Sequence, residues 1–323
     1  MSNARQSPEQ RGRLTQRAAL ASVAVASILL ILKAYAVSST GSVAVLGSLA
    51  DTSLDLVASL VTLMGVRWAA MPADHEHRFG HGKAEALSAL FQVVLITIAA
   101  LGLGWESIHR LGSTHETQAP EAGIGVSIIA IILSLALVLY QKRVIARTGS
   151  LAISTDNIHY KSDFFLNLSV IVAVVLDQYL GVGGADATFG IGIAIWLAWS
   201  AWSSASDAVD NLMDKEWSLE DRQHFLVIAS RHPALRGIHD MRTRSSGTHR
   251  FVQFHASVDP EMTVKQAHIV MDEIEDALMK EFPGVEILIH PDPEGHVEGG
   301  HDPLRGEDAH ALLAEEMSDD LKS

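Results

Sequence analysis

Two pairs of metal-ligating side chains lie within long apolar segments. Asp51 and Asp55 are four residues apart near the middle of residues 41–66, and His159 and Asp163 are four apart in a later segment. This spacing places both members of a pair on one face of a helix. A carboxylate at the centre of a membrane span costs about 2.5–3.5 kcal/mol, so such residues usually face a bundle interior and mark an ion or proton path.

If the two helices are neighbours, three carboxylates and one imidazole can meet near the middle of the membrane. This donor set suits a tetrahedral cation such as Zn²⁺, although its oxygen content leaves Cd²⁺, Fe²⁺ and Mn²⁺ as competitors. For either pair alone, a water-lined cavity or a hydrogen bond between helices is an equally good interpretation. Two pairs with the same spacing favour a metal.

A second group of donors lies in the polar segment from residue 74 to 85. Asp74, His77 and His81 could converge on a metal there, with His75 as a spare ligand. The alternative is a solvated, histidine-rich connection between two helices.

More donors lie in the last third of the chain, on predicted elements that should pack together. They are His239, His255, His268, His290 and Asp292. They indicate one or two metal sites, at a dimer interface in one interpretation, while surface histidines in an acidic domain are the alternative. His296, His301 and His310 follow in a tail where solvation is the simpler explanation.

Six segments are long enough to cross a bilayer, which requires about 20 residues. They are residues 14–37, 41–66, 84–108, 122–140, 154–176 and 187–206. The 48% hydrophobic composition also favours a membrane protein. The first apolar run continues without a small-residue cleavage site, so we expect a retained helix and not a signal peptide.

Lysine and arginine are distributed unevenly among the connections. They precede the first span and lie between spans two and three and between spans four and five, whereas residues 38–40, 113–121 and 181–186 contain none. The positive-inside rule therefore predicts that both termini are cytoplasmic.

The periodicity changes after the sixth span. It predicts helices over residues 220–231 and 263–280 and strands over 237–244, 249–258 and 285–290. The order αββαβ is typical of a small α+β domain with helices on one face of a sheet. The candidate core positions of its second helix are Val264, Ala267, Ile274 and Leu278.

We therefore predict an α-helical membrane protein with a cytoplasmic α+β domain. Its parts are an N-terminal extension, residues 1–13; six transmembrane helices, 14–212; the metal-binding domain, 213–292; and a disordered acidic tail, 293–323. Of the net charge of −14, −12 falls after residue 212, which argues against nucleic acid as a partner. The absence of cysteine excludes thiolate sites, and no nucleotide-binding motif is present.

Four stretches together carry a resemblance to a known family. They are GSVAVLGSLADTSLD, FGHGKAE at 79–85, DNIHYKSD and HDMRTR. Over residues 14–292 the chain resembles the cation diffusion facilitators, specifically the bacterial zinc and ferrous-iron efflux antiporters. The resemblance implies a homodimer in a bacterial inner membrane, with metallochaperone-like cytoplasmic domains.

The resemblance also implies three metal sites. Asp51, Asp55, His159 and Asp163 match the transport site, and Asp74, His77 and His81 match the loop site. His239, His255, His268, His290 and Asp292 match a binuclear cytoplasmic site.

These observations lead to one functional hypothesis and two rivals. We expect a proton-coupled antiporter, not an enzyme, that exports Zn²⁺ by alternating access and is regulated by zinc bound to its cytoplasmic domain. Export of Mn²⁺ or Fe²⁺, or metal sensing without transport, are the alternatives. A metallohydrolase would need an open coordination position, which four protein ligands would fill.

Overall fold

The computed structural model describes residues 7–40, 43–111, 121–180 and 185–295, together with residues 309, 311, 314 and 318. The chain divides into a helical unit, residues 11–210, and a second unit that contains residues 211–295. The long helices are α1 Pro8–Thr40, α2 Val43–Ala69, α3 Ala84–Leu111, α4 Glu121–Thr148, α5 Leu151–Leu180 and α6 Ala185–Leu212. They correspond one to one with the six predicted spans.

The helical unit has an apolar exterior. Among the described residues, α1 to α4 each contain a stretch long and apolar enough to cross a membrane. The first half of α5 is more polar because it contains Asp156, His159 and Asp163. Large apolar side chains on these helices are exposed, among them Leu101 at 69% and Trp202 at 77%. Such a surface marks contact with lipid.

Small residues let neighbouring helices approach closely. A Cβ atom added to Gly65 of α2 would lie 2.5 Å from Ser88 of α3, and one added to Gly190 of α6 would lie 3.1 Å from Cβ of Ser107 on α3. Small side chains at such contacts are typical of helix packing in membranes. Within this bundle α5 packs against α2, α3 and α4.

The second unit has the predicted αββαβ order. Its elements are α7 Leu219–Ala229, β1 Gly237–Ser246, β2 His249–Val258, α8 Val264–Glu281 and β3 Val285–Pro293. The sheet order is β1-β2-β3, with β1 antiparallel and β3 parallel to β2. Together with the helical unit, this arrangement confirms the predicted fold class.

Aromatic and aliphatic side chains from the helices and the sheet form the core of this unit. Phe225 of α7, Phe254 of β2 and Leu278 of α8 are each at most 1% exposed. Thr263 begins α8 with a capping box to Gln266, which satisfies free backbone groups at the helix start.

Three of the four predicted core positions of α8 are buried, namely Ala267, Ile274 and Leu278. The prediction for Val264 is wrong, because its side chain is 88% exposed. Val264 is the first residue of α8 and lines a cavity between α8 and β3, whereas the buried stripe begins one turn later.

The predicted tail falls almost entirely outside the described residues, as do His296, His301 and His310. Its described residues are 293–295, which end β3 and form the turn after it, and 309, 311, 314 and 318, which are helical.

Candidate metal centres

Three of the four side chains predicted for the membrane site lie together. One donor atom from each of Asp55, His159 and Asp163 lies within 4.8 Å of the others. Nε2 of His159 is 2.9 Å from Oδ1 of Asp55 and 3.9 Å from Oδ2 of Asp163. Asp51 lies one turn before Asp55 on α2, but its side chain is exposed and is outside this group. We call Asp55, His159 and Asp163 the membrane cluster.

Contacts beside His159 fix the rotation of α5. The hydroxyl of Tyr160 donates to the backbone oxygen of Ser22 on α1 at 3.0 Å and lies 2.8 Å from Oγ of Ser59 on α2. Tyr160 is only 1% exposed. Because Tyr160 is held by two helices, its neighbour His159 is directed toward Asp55 on α2.

One turn before His159, a buried carboxylate joins four helices. Asp156 of α5 accepts hydrogen bonds from Oγ of Ser22 on α1 at 2.6 Å, Nε2 of Gln141 on α4 at 2.7 Å and Nε2 of Gln92 on α3 at 3.0 Å. All four side chains are at most 1% exposed. The carboxylate has three donors, whereas Oε1 of Gln92 has no partner among the described residues. Buried hydrogen bonds of this kind rigidify the surrounding structure. We call this the Asp156 network.

A second buried carboxylate holds the beginning of α5. Glu85 of α3 accepts hydrogen bonds from Oγ of Ser150 at 2.7 Å and from the backbone N–H groups of Leu151 and Ala152. These N–H groups have no partners within their own helix. The start of α3 is thereby attached to the start of α5.

Sequence reasoning missed one charged group beside the membrane cluster. Lys33 lies inside the first predicted span, and its Nζ donates to Oγ1 of Thr52 on α2 at 2.6 Å. The signal was a single lysine within an apolar run, which is rare in membrane spans.

The predicted loop site is also assembled. Nε2 of His81 lies 3.3 Å from Oδ2 of Asp74, and Nδ1 of His77 lies 3.4 Å from Oδ1 of Asp74. The two imidazole rings are 4.4 Å apart. Nδ1 of His81 is buried and has no hydrogen-bond partner within the part of the chain that the structure describes. His75 lies outside this group of three donors and is exposed.

Local backbone contacts hold Asp74 ionised. Its Oδ1 accepts hydrogen bonds from the backbone N–H of His77 at 2.6 Å and of Glu76 at 2.9 Å. The hydrogen bond from His77 is the main cause that lowers the pKa of Asp74 below its ordinary value. An ionised carboxylate beside two imidazoles is a suitable donor set for a divalent cation.

The second unit places three histidines in one row across the sheet. His239 of β1 pairs with His255 of β2, which pairs with His290 of β3. Asp292 follows two residues after His290, on the same face of β3. Its Oδ2 is 2.7 Å from Nδ1 of His255 and 3.2 Å from Nε2 of His239, while its Oδ1 is 3.2 Å from Nε2 of His290.

A buried carboxylate is the centre of this row. Asp292 is 5% exposed. Burial is the largest influence on its pKa and raises it, but the hydrogen bond with His255 and the nearby imidazoles outweigh burial, so the pKa is lowered overall. Asp240, at a bulge in β1 with φ of 49°, places Oδ2 3.6 Å from Nε2 of His255. Sequence reasoning had not assigned Asp240.

His268 occupies a different place in the unit. It lies on α8, its side chain is 76% exposed, and Nδ1 is 3.4 Å from Oδ1 of Asp272. Within one chain it is therefore not among the three donors His239, His255 and Asp292 that lie within 4.8 Å of one another.

The described residues thus contain three groups of nitrogen and oxygen donors, one of them inside the membrane-spanning bundle. Carboxylate and imidazole donors without thiolate fit Zn²⁺, Fe²⁺, Mn²⁺ and Co²⁺ better than Cu⁺.

Comparison with known families agrees with this arrangement. The family profile described as "Cation efflux transmembrane domain" matches residues 19–213, and "Cation efflux protein, cytoplasmic domain" matches residues 214–294. The chain belongs to the cation efflux family. It is a metal-cation transporter that spans the membrane, not an enzyme.

Curated relatives match over most of their length. The cation-efflux pump FieF of Klebsiella pneumoniae is 42% identical over 88% of this chain and 95% of its own. That of Cronobacter sakazakii is 42% identical over 87% and 94%. Among solved structures, the metal-bound C-terminal domain of the CzcD transporter from Thermotoga maritima is 30% identical over 25% of this chain and 92% of its own, with a TM-score of 0.23.

Proposed function

We propose that this cation efflux protein exports Zn²⁺ from the cytoplasm in exchange for protons, by alternating access of the membrane cluster. The observation that carries the proposal is the meeting of Asp55, His159 and Asp163 inside apolar helices. Ionisable side chains are costly there, and a transport pathway for cations is the usual reason for them. The curated relatives named as cation-efflux pumps support export as the direction of transport.

Proton exchange follows from the chemistry of the ligands. A divalent cation binds deprotonated carboxylates and a neutral imidazole, so the same atoms hold protons when the cation is absent. Protons arriving from a more acidic exterior would displace the cation outward. The emptied, protonated cluster would then return to face the cytoplasm.

Zinc is the proposed main substrate because carboxylate and imidazole donors in a compact group suit its tetrahedral geometry. Fe²⁺, Mn²⁺ and Cd²⁺ accept the same donors and are the competing substrates. Asp51 is the fourth ligand in this proposal, and it would need to turn inward from its exposed position on α2.

We propose that the cytoplasmic unit is a regulatory zinc site in a homodimer. His239, His255 and Asp292 lie within 4.8 Å of one another, with His290 3.2 Å from Asp292, and we infer that the exposed His268 of α8 contributes a ligand across two copies. Metal binding would reduce the mutual repulsion of two acidic domains and so bias the membrane helices. The loop site of Asp74, His77 and His81 is proposed as a further regulatory site.

The arginine- and lysine-bearing connections support cytoplasmic termini and an inner-membrane location. In this orientation the second unit is on the cytoplasmic side, where metal to be exported would be sensed.

The test is metal uptake by sealed vesicles that contain the purified protein and a zinc-sensitive dye. Zinc flux should follow an imposed proton gradient, and Asp55→Asn should abolish it. Ser53→Ala is the matched control on the same helix, because Ser53 is exposed and, among the described residues, its hydroxyl bonds only to the backbone of Leu49. Repeating the assay with Fe²⁺, Mn²⁺ and Cd²⁺ ranks the substrates.

A metal sensor without transport is the rival. It predicts zinc binding but no flux of any divalent cation under a proton gradient of either direction. That result would refute the proposal.

A further inference from the structure

Lys33 is a partly buried cation that the exchange scheme has not used. It lies on α1, seven residues before that helix ends at Thr40. Its ammonium donates hydrogen bonds to Oγ1 of Thr52 at 2.6 Å and to the backbone oxygen of Ser48 at 3.2 Å, both on α2. Thr52 is 1% exposed, so the ammonium is directed into the bundle.

This orientation needs an explanation, because a lysine in a membrane helix normally extends its charge toward the polar boundary. Lys33 instead bonds to the helix that carries Asp51 and Asp55. Its charge acts on Asp55, Asp163 and Asp51. The favourable partners of the partly buried ammonium are therefore carboxylates of the membrane cluster and the neighbouring Asp51.

The charges of these groups balance around a divalent cation. Three carboxylates and one ammonium carry a net charge of −2, which one divalent cation brings to zero when the imidazole is neutral. Without the ammonium, the loaded site would keep a charge of −1 in a medium of low dielectric constant, where such imbalance matters most.

We propose that Lys33 is a fixed counter-charge of the transport site, which weakens cation binding enough for release. Export requires binding that is strong enough for the cation to enter and weak enough for it to leave. This inference rests on the proposed function, because it assigns Lys33 a role in the exchange at the same site. Lys33 does not ligate the cation; it acts through the field at Asp51, Asp55 and Asp163.

The experiment compares three substitutions in the vesicle assay, with initial rates measured over a range of zinc concentrations. Lys33→Gln keeps a hydrogen-bond donor near Thr52 but removes the charge, Lys33→Met removes both, and Lys33→Arg keeps the charge. Lys33→Gln and Lys33→Met should lower KM on the order of tenfold or more and lower the maximal rate. Lys33→Arg should stay within a few-fold of the unaltered protein.

A purely structural role of Lys33 would not lower KM and the maximal rate together. Loss of packing alone lowers the maximal rate without tightening KM, and that result for Lys33→Gln would overturn the inference. Equal kinetics for Lys33→Gln and Lys33→Arg would also overturn the inference. If the unaltered protein moves no divalent cation, the proposed function fails instead, and the two failures are distinct.

Lys33→Met carries the test if Lys33→Gln fails to fold, because its apolar side chain suits a membrane helix. The KM of Lys33→Met should then be lowered on the order of tenfold or more relative to Lys33→Arg. An equal KM for Lys33→Met and Lys33→Arg would contradict the proposal.

Discussion

Replacing Asp156 with leucine tests whether the Asp156 network positions the metal ligands of α5. The substitution keeps a side chain of similar size but removes the acceptor shared by Ser22, Gln92 and Gln141. Because these donors come from α1, α3 and α4, loss of their shared acceptor should weaken the packing of α5 against these helices. It should also allow α5 to rotate about its axis.

The expected loss in the free energy of unfolding follows from the number of donors that lose the Asp156 carboxylate as an acceptor. A buried donor without a partner costs about 1–3 kcal/mol. All three have a second acceptor in place: Ser22 lies 3.2 Å from the backbone oxygen of Ala18, and Gln92 lies 2.5 Å from Oγ1 of Thr62. Nε2 of Gln141 already donates to Oγ of Ser22 at 2.9 Å. The destabilisation should therefore lie at about 2–4 kcal/mol, below the sum for three unpartnered donors.

The assay is thermal or denaturant unfolding of the purified protein in detergent, together with zinc transport in vesicles. Asp156→Leu should lower stability and raise the KM for zinc, because His159 and Asp163 lie one and two turns farther along the same helix. Ser53→Ala serves as the control and should change stability by less than about 0.5 kcal/mol. Unaltered stability and KM in Asp156→Leu would refute the reasoning.

Three further predictions concern other parts of the chain. Asp292→Asn should weaken zinc binding to the cytoplasmic unit on the order of ten- to hundredfold in calorimetric titration, and an unchanged affinity would argue against a site there. Because the pKa of Asp292 is lowered by folding, its contribution to stability is present above the ordinary carboxyl range, about pH 4, and is lost as the pH falls through the lowered value. Acid unfolding curves of Asp292→Asn and the unaltered protein should thus converge at low pH; parallel curves would contradict this. Gly65→Leu should destabilise the contact of α2 with α3 by about 1–3 kcal/mol, because its side chain would collide with Ser88, whereas Gly102→Ala, with open space around it, should be tolerated in the same unfolding assay.

The sequence predicted the parts of the structure that depend on local periodicity. The strand expected at residues 249–258 has these bounds, and each apolar segment became a long helix. The i, i+4 spacing also placed His159 and Asp163 on one face of α5, where Asp55 meets them. Each of these inferences used residues that lie within one or two turns of each other.

What the sequence could not show depends on contacts between distant segments. The Asp156 network joins residues that are up to 134 positions apart, and no spacing rule connects them. The direction of Lys33 depends on α2 lying beside α1. His268 was grouped with the other histidines because its helix covers the sheet, but α8 turns this side chain away from them.

Because Glu85 holds the start of α5, a tilt of this helix about its first turn displaces the residues farther along it. His159 lies eight residues beyond Leu151, which is about 12 Å along the axis. A tilt of α5 by about 10° at this attachment would move His159 by roughly 2 Å, more than enough to part it from Asp55. The loop that carries His81 leads directly into α3, the helix that contains Glu85. One buried carboxylate thereby connects the loop site with the helix that carries His159 and Asp163.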